Sequence, residues 1–350
     1  MSTTVSTTNP TTEINTKPSN TLMMDYKTRS YCLSTFGEYF VTLLLIIYGF
    51  GISGMNPYSS SFIERDPALS QPFYQDTVPN TVLILLSFIL PLCVLIVFTI
   101  IKGLYIYYKY KHVSNIDKLT KKLIFWTIWW LFITLVQSMG VALASTNTIK
   151  NVVGRQRPSF FDLVNYAGYT TALDTGNYNN YNTATTAGSL GDMSKVLLTD
   201  NHEIQDAQRS FPSGHASISF AGMSFLVGYF RWLLSVPKGK WFTLRAALSC
   251  APLILSAFIA ISRVRDRKHN PDDISIGTLL GLLGGLLSWY HYDSEKDIRD
   301  PLAKLHKQLD EEYKEINNNH HNNENQALVI QIIKNPSESS SSSGIGNEKH

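Results

Sequence analysis

The sequence predicts an all-α fold, a polytopic membrane protein whose six transmembrane helices form a bundle with a catalytic site at the non-cytoplasmic face. Three observations predict it. Of the 350 residues 44% are hydrophobic, and they are gathered into long runs separated by polar tails and loops. Six of those runs approach the ~20 residues that cross a bilayer. Residues suited to gripping phosphate recur at one set of ends of these runs.

The runs cover 35–53, 81–101, 123–145, 216–236, 244–261 and 274–291, and each reads as a span on hydropathy. Glu38 lies near the start of the first. The fourth and sixth carry Gly222, Gly228, Gly277, Gly281, Gly284 and Gly285 among many Ser and Ala residues. Small residues let helix backbones approach in lipid, so these two are expected inside the bundle. The chain thus divides into an N-terminal tail (1–34), a six-helix membrane domain (35–295) and a C-terminal tail (296–350). The segments 1–22, 170–205 (an insert in the large outer loop) and 316–350 are too polar to bury a core and are expected to be disordered. Residues 296–316 have the rhythm of a short amphipathic helix on the cytoplasmic face. No apolar core in 1–22 suggests a cleavable signal, so the first run is expected to direct insertion itself. Cys32, Cys93 and Cys250 show no metal-ligand or pairing pattern and read as small buried hydrophobes.

A net charge of +3 says little about partners, and no nucleic acid is expected. The distribution of charge says more. Loop 102–122 has Lys102, Lys109, Lys111, Lys118, Lys121 and Lys122 against Asp117, and loop 231–245 has Arg231, Lys238, Lys240 and Arg245 with no acid. Lys17, Lys27 and Arg29 precede the first run, while loop 54–80 sets Glu64, Asp66 and Asp76 against Arg65. The positive-inside bias puts both termini and the two basic loops in the cytoplasm. Loops 54–80, 146–215 and 262–273 then face the other side. Two of these are basic against the bias, which points to an anionic ligand.

The first cluster is Lys150-Asn-Val-Val-Gly-Arg155-Gln-Arg157-Pro158. Planar guanidinium forks on Arg155 and Arg157 and a point charge on Lys150 suit the peripheral oxygens of a transferring phosphoryl group. The plainer reading is basic side chains snorkelling to headgroups. The second cluster is Pro212-Ser213-Gly214-His215. Ser213 is a natural N-cap, Gly214 allows close approach to unpaired helix-start amides, and His215 stands beside any anion bound there. The plainer reading is a capped helix with an incidental histidine. The third is Ser262-Arg263, with His269 and Asp273 beyond it. Asn270 reads as N-cap, Pro271 as the first helical residue and Asp273 as a capping-box acid able to reach His269. Asp272 could take the capping role instead, and the run Arg263, Arg265, Arg267, Lys268 could contact headgroups. Hydropathy, which ignores these clusters, places all three at one membrane face.

Lys150-x6-Arg157-Pro158, Pro212-Ser213-Gly214-His215 and Ser262-Arg263-x5-His269-x3-Asp273 together resemble the three-part signature of the type 2 phosphatidic acid phosphatase (PAP2) superfamily. Gly154, Arg155, Phe160, Ser210-Phe211 and Phe220-Ala221-Gly222 resemble its lipid phosphate phosphatase branch. The resemblance covers about 35–295 and leaves out the tails and the insert. The chain departs from that branch at Asn270-Pro271-Asp272, where an aromatic residue or another histidine is common. The resemblance implies His269 as nucleophile through a phosphohistidine, Asp273 as its orienting acid and His215 as general acid and base. It implies a phosphate cradle of Lys150, Arg157, Ser213, Gly214 and Arg263, to which the residues themselves add Arg155. It implies no cofactor and no metal, the cations serving as charge sink. The expected activity is dephosphorylation of a lipid phosphate within the bilayer: phosphatidic acid, lysophosphatidic acid, diacylglycerol pyrophosphate or a sphingoid phosphate. A polyprenyl or dolichyl diphosphate phosphatase, or a non-catalytic lipid-binding membrane protein, are the alternatives. Oligomeric state and the particular membrane are not legible.

Overall fold

The computed structural model describes residues 28–111, 113, 115–234, 241–294, 300–311 and 313–315, with side chains from residue 36 onward. The segments 1–22 and 316–350 read as disordered, and Lys17, Lys27, Lys238 and Lys240, lie outside the described residues. Six long helices dominate: α1 Thr28–Ser53, α2 Asn80–Lys109, α3 Ile116–Val153, α4 Gly214–Leu233, α5 Phe242–Arg265 and α6 Pro271–Ser294. A π-helical turn interrupts α2 at Leu85–Ile89, and α5 is broken once, at Ala251 before Pro252. Among the described residues there are no strands, only two isolated bridges. The chain is a helical membrane protein.

Five of the six helices are long and apolar enough to cross a bilayer, α4 being the exception. The expectation of six spans is therefore met by length and composition for five. Helix α4 is short of apolar residues because it lies at the centre of the bundle, where Ser217, Ser219, Gly222, Ser224 and Gly228 are buried. Against it packs α6, along a stripe of glycines. A Cβ on Gly277 would lie 2.5 Å from the Ser213 carbonyl oxygen, one on Gly281 2.3 Å from that of Ser217, and one on Gly285 2.5 Å from that of Ala221. Backbone-to-backbone contact of this kind needs small residues and is a characteristic device of membrane bundles. Buried serines add cross-links: Ser138 Oγ donates to Ala221 O at 3.0 Å, and Ser256 Oγ donates to Ser219 O at 2.9 Å. Glu38 of α1 meets His291 of α6 at 2.8 Å. Cys93 and Cys250 are exposed, contrary to their reading as buried hydrophobes, because they lie on outward faces of α2 and α5; the Cys32 side chain is outside the described residues.

Helix ends extend beyond the apolar runs. The third helix continues to Val153 and the fifth to Arg265, so Lys150, Ser262 and Arg263 sit in last turns rather than in loops. At the opposite end of the bundle, residues 301–311 are helical, as the amphipathic rhythm predicts. Leu302, Leu305 and Leu309 pack on Ile106, Tyr110, Ile116 and Leu123. Asp300 ties this helix to α2 through Lys102 at 2.9 Å.

The stretch 170–205 is ordered, against expectation. It forms short helices at Tyr169–Thr175, Asn179–Ala184 and Asn201–Ala207 and a 3-10 turn at Met193–Lys195. Its Thr and Asn content hides a small aromatic core, in which Tyr169 and Tyr181 pack with Phe62, Phe160, Phe161 and Tyr166. Buried Glu64 locks this unit to loop 54–80. It accepts from Tyr166 Oη and Lys195 Nζ, each at 2.7 Å, and from the Thr186 amide at 2.7 Å. Burial opposes its charge, but Lys195 and the amide and hydroxyl donors hold its pKa down at about 2.

Candidate active site

The last turn of α3 carries Lys150 and ends at Gly154, whose φ is +58°. A Cβ there would fall 1.5 Å from the Tyr58 carbonyl oxygen, so left-handed backbone and close approach both require glycine. The chain then turns across the bundle end. Lys150 Nζ lies 3.7 Å from where a Cβ of Gly214 would stand, placing its ammonium against the start of α4.

Buried Ser213 is the N-cap of α4, its Oγ accepting from the Ala216 amide at 3.5 Å. Gly214 and His215 occupy the first turn beside Lys150, and amides in a helix's first turn are the kind of donor that suits an anion. His215 is buried, with Nε2 2.9 Å from Val78 O. A carbonyl only accepts, so Nε2 carries the hydrogen and Nδ1 keeps the lone pair. Arg263, Asp76 and Lys150 are its charged neighbours.

Arg263 is buried in the last turn of α5, with one guanidinium nitrogen 3.1 Å from Asp76 Oδ1. That nitrogen is Nη1, whereas Nε is enclosed and has no hydrogen-bond partner among the described residues. Buried donors of that kind cost ~1–3 kcal/mol each when left unmet, and a phosphate oxygen is a fitting acceptor. Lys268, also buried, places Nζ 3.5 Å from Asp76 and 3.4 Å from the Phe73 ring centroid. Burial works against the Asp76 carboxylate, but Arg263 and Lys268 hold its pKa below the usual range. Arg265 and Arg267 are exposed and border a separate cavity of about 380 Å³ with Tyr74 and Thr77. Arg263 and Lys268 are turned inward, so the basic run does not act as one headgroup-facing strip.

His269 precedes α6 and is 3% exposed, a burial that no bulk water can offset. Its Nδ1 lies 2.7 Å from Ser210 O and 3.6 Å from Asp273 Oδ2. Nδ1 therefore carries the hydrogen and gives it to the carbonyl, while Nε2 has no partner among the described residues. Burial above all, with Arg157 and Lys150 nearby, pushes the His269 pKa well below that of an ordinary imidazole, Asp273 opposing. Asp273, fully buried, is the capping acid: its Oδ2 accepts from the Asn270 amide at 2.8 Å and from Ser210 Oγ at 2.6 Å. The expected carboxylate–imidazole hydrogen bond is thus replaced by a carbonyl–imidazole bond with the carboxylate alongside.

Arg157 donates from Nε to Asp206 O at 2.8 Å and from Nη2 to Asp206 Oδ1 at 2.7 Å. Burial opposes charge on Asp206, but Arg157 and Lys150 hold its pKa low. Arg155 does not join the cations. Its Nη1 pairs with Asp272 and, at 2.9 Å, with Asp273 Oδ1. The structure therefore brings Lys150, Arg157, Ser213, Gly214, His215, Arg263, His269 and Asp273 to one end of the bundle and turns Arg155 onto the carboxylates. Sequence reasoning missed Asp76, Asp206, Lys268 and the roles of Ser210 and the Val78 carbonyl. Only Ser210 had a signal, as the start of Ser210-Phe-Pro-Ser-Gly-His215. A cavity of about 590 Å³ adjoins this cluster on the insert side, lined by Phe73, Leu163, Thr170, Asp206 and Lys268 among others.

Comparison with known proteins follows the same residues. The PAP2 superfamily model matches residues 130–297. A protein of Arabidopsis thaliana named "Probable lipid phosphate phosphatase 4" is 27% identical over 224 residues, 64% of this chain and 61% of that protein. The diacylglycerol pyrophosphate phosphatase 1 of Saccharomyces cerevisiae is 27% identical over 274 residues, 76% of this chain and 81% of its own length. Phospholipid phosphatase 1 of Mus musculus is 25% identical over 262 residues, 72% of this chain and 84% of that protein. The chain thus spans less than two thirds of the Arabidopsis protein and more of the other two. No solved structure matches at a significant level.

Proposed function

Because this chain belongs to the PAP2 superfamily, on its lipid phosphate phosphatase branch, we propose that it removes phosphate from lipid phosphates held in the bilayer, phosphatidic acid and diacylglycerol pyrophosphate foremost. The observation that carries the reading is the state of His269: Nδ1–H engaged by a carbonyl at 2.7 Å, Nε2 bearing a free lone pair, and Arg157 and Lys150 as charged neighbours. That is a neutral nucleophile in a cationic pocket.

The phosphoryl oxygens are held by Lys150, Arg157, Arg263, the Ser213 hydroxyl and the first-turn amide of Gly214. Nε2 of His269 attacks phosphorus, forming an N–P bond as the lipid O–P bond breaks with its electron pair on oxygen. Protonated His215 gives that oxygen a proton from Nδ1, and the lipid alcohol leaves, or phosphatidate where the substrate is the pyrophosphate. Neutral His215 then takes a proton from water, whose oxygen displaces His269 from phosphorus. Asp273 keeps a negative charge 3.6 Å from the imidazole, favouring the charged ring of the intermediate. Arg155 restrains Asp272 and Asp273 instead of binding phosphate.

Six helices cross the membrane, both termini lie in the cytoplasm, and this site faces the other side. The basic loops and the gathering of the site at one end of the bundle support that orientation. With Cys32, Cys93 and Cys250 replaced, an impermeant maleimide should label Asn180→Cys but not Lys307→Cys in intact cells. The reverse pattern overturns the orientation.

The activity test is phosphate release by purified protein in mixed micelles containing a chelator, across phosphatidate, diacylglycerol pyrophosphate, a sphingoid phosphate and an isoprenoid diphosphate. Release from the glycerolipids, lost by about a thousandfold or more in His269→Ala, is expected. Equal release by that variant refutes the mechanism. Preference for the isoprenoid diphosphate replaces the substrate assignment.

A further inference from the structure

One residue touches both members of the His269–Asp273 pair. Ser210 is fully buried, and its carbonyl accepts the His269 Nδ1–H at 2.7 Å while its own hydroxyl donates to Asp273 Oδ2 at 2.6 Å. Its amide in turn donates to Arg155 O at 2.9 Å, and the Arg155 side chain holds the other carboxylate oxygen of Asp273 at 2.9 Å. The segment before α4 is thus tied to the segment after α3 and to the start of α6 through a single serine.

We propose that Ser210 is the positioning residue of this pair: its carbonyl fixes the tautomer and ring direction of His269, and its hydroxyl holds Asp273 beside the ring instead of bonded to it. The chemistry of the arrangement differs from a direct carboxylate–imidazole bond. A carboxylate hydrogen-bonded to Nδ1 draws the proton strongly and makes the ring basic. A carbonyl fixes the same tautomer with far less pull. The ring stays neutral and nucleophilic, and the carboxylate, already satisfied by Ser210, Asn270 and Arg155, contributes its field at 3.6 Å. Ser210 sets how much of the Asp273 charge reaches His269.

The charged groups around the imidazole are Asp273 on α6, Lys150 on α3, Arg157 and Asp206 from the outer loop, with Arg155 behind the carboxylate. Removing the Ser210 hydroxyl leaves all of these in place. It frees one lone pair of Asp273, which can then compete for Nδ1–H. The His269 pKa must rise, and the imidazole becomes easier to protonate. A merely structural serine would not move that titration.

The inference rests on the phosphatase reading only for its catalytic consequence, so the primary readout is independent of turnover. Histidine-selective 15N labelling of full-length protein in detergent, with His269→Ala for assignment, reads the tautomer and pKa directly. The wild type should show the Nδ1–H tautomer. Ser210→Ala should raise the His269 pKa by about one unit and lower kcat by about tenfold, with KM nearly unchanged. Ser210→Thr, which keeps the hydroxyl, should restore both. An Nε2–H tautomer in the wild type, or an unshifted pKa in Ser210→Ala, overturns the inference whatever the activity. If the alanine variant does not fold, Ser210→Cys, a weaker donor, carries the same reading. Absence of phosphate release from every lipid, with the titration shifted as stated, would refute the phosphatase reading and leave the positioning role standing.

Discussion

The Ser213 amide donates to the Asp273 carbonyl at 3.0 Å, so the first turns of α4 and α6 are fastened to each other. That bond holds the start of α4 against the helix that carries Asp273, which caps the Asn270 amide beside His269. Two clusters about sixty residues apart in sequence share one hydrogen bond, and the distance between their histidines is set by how closely α4 and α6 approach.

Gly277 sets that approach. A Cβ on it would lie 2.5 Å from Ser213 O and 3.3 Å from Ser213 N, both backbone atoms that cannot yield locally. Gly277→Ala should push the helices apart, with an overpacking cost of ~1–3 kcal/mol. Activity should fall by tenfold or more, because the proposed phosphate site is assembled across this contact. Gly51→Ala, at a position with nothing within 4 Å of the added carbon, is the control and should match the wild type. Thermal unfolding in detergent and phosphate release on the same preparations check both statements.

Asp206 is predicted to act on substrate affinity through Arg157. It fixes the guanidinium by a side-chain contact at 2.7 Å and a main-chain contact at 2.8 Å. Asp206→Asn keeps an acceptor and the main-chain bond but removes the charge. The loss of one partly exposed ion pair, worth ~0.5–1 kcal/mol, should raise KM by a few-fold and leave kcat close to the wild type. Steady-state kinetics at fixed surface concentration of lipid separate the two. A large fall in kcat would instead place Asp206 in the chemical step.

The six helices, their order, the cap at Asp273 and the glycine stripe were legible because each depends on local composition and spacing. Asn270, Pro271 and Asp273 signal a helix start without reference to anything distant, and Gly277, Gly281 and Gly285 recur at helical spacing. What escaped depends on partners far apart in the chain. Asp76 lies in a loop that hydropathy treats only as acidic, yet it neutralises Arg263. Arg155 and Arg157 look equivalent in sequence, but the turn at Gly154 sends one to Asp272 and Asp273 and the other to Asp206. The insert looked structureless because Thr and Asn dominate its count, whereas its Tyr178 and Tyr181 join Tyr166 and Tyr169, which lie just before it, in one aromatic core.

The acid limb of the pH profile should fall below the usual imidazole range. In the proposed mechanism His269 must be neutral to attack, and burial beside Arg157 and Lys150 pushes its folded pKa below the unfolded value near 6.5. The sign for stability is the same. Above that unfolded value both states are neutral and nothing is lost. As pH falls below it the unfolded chain takes up a proton that the folded chain resists, so stability declines. Arg157→Gln removes one of the repelling charges and should shift the His269 titration upward, measurable by histidine-selective NMR even where turnover is weak.

Glu64 gives the outer unit its own acid sensitivity. Its folded pKa of about 2 lies below the ~4.3 of an unfolded glutamate, because Lys195 and several hydrogen-bond donors favour the charged form over the penalty of burial. A carboxylate with a depressed pKa contributes stability in full above its unfolded value and loses it as pH falls through the folded one. Between pH ~4.3 and ~2 the bonds from Tyr166, Thr186, Ser189 and Lys195 weaken together, and the segment they hold loosens from loop 54–80. Glu64→Gln removes the charge at neutral pH and should imitate that state. Limited proteolysis with an acid-tolerant protease should then cut near residues 186–198 of the wild type only under acid, and of the variant at neutral pH. Because the 590 Å³ cavity takes Leu163, Thr170 and Asp206 from the same unit, the variant should also bind substrate less tightly, while His269, held by Ser210, keeps its titration. An altered His269 pKa in Glu64→Gln would show that the aromatic unit and the His269–Asp273 pair are coupled more directly than their contacts imply.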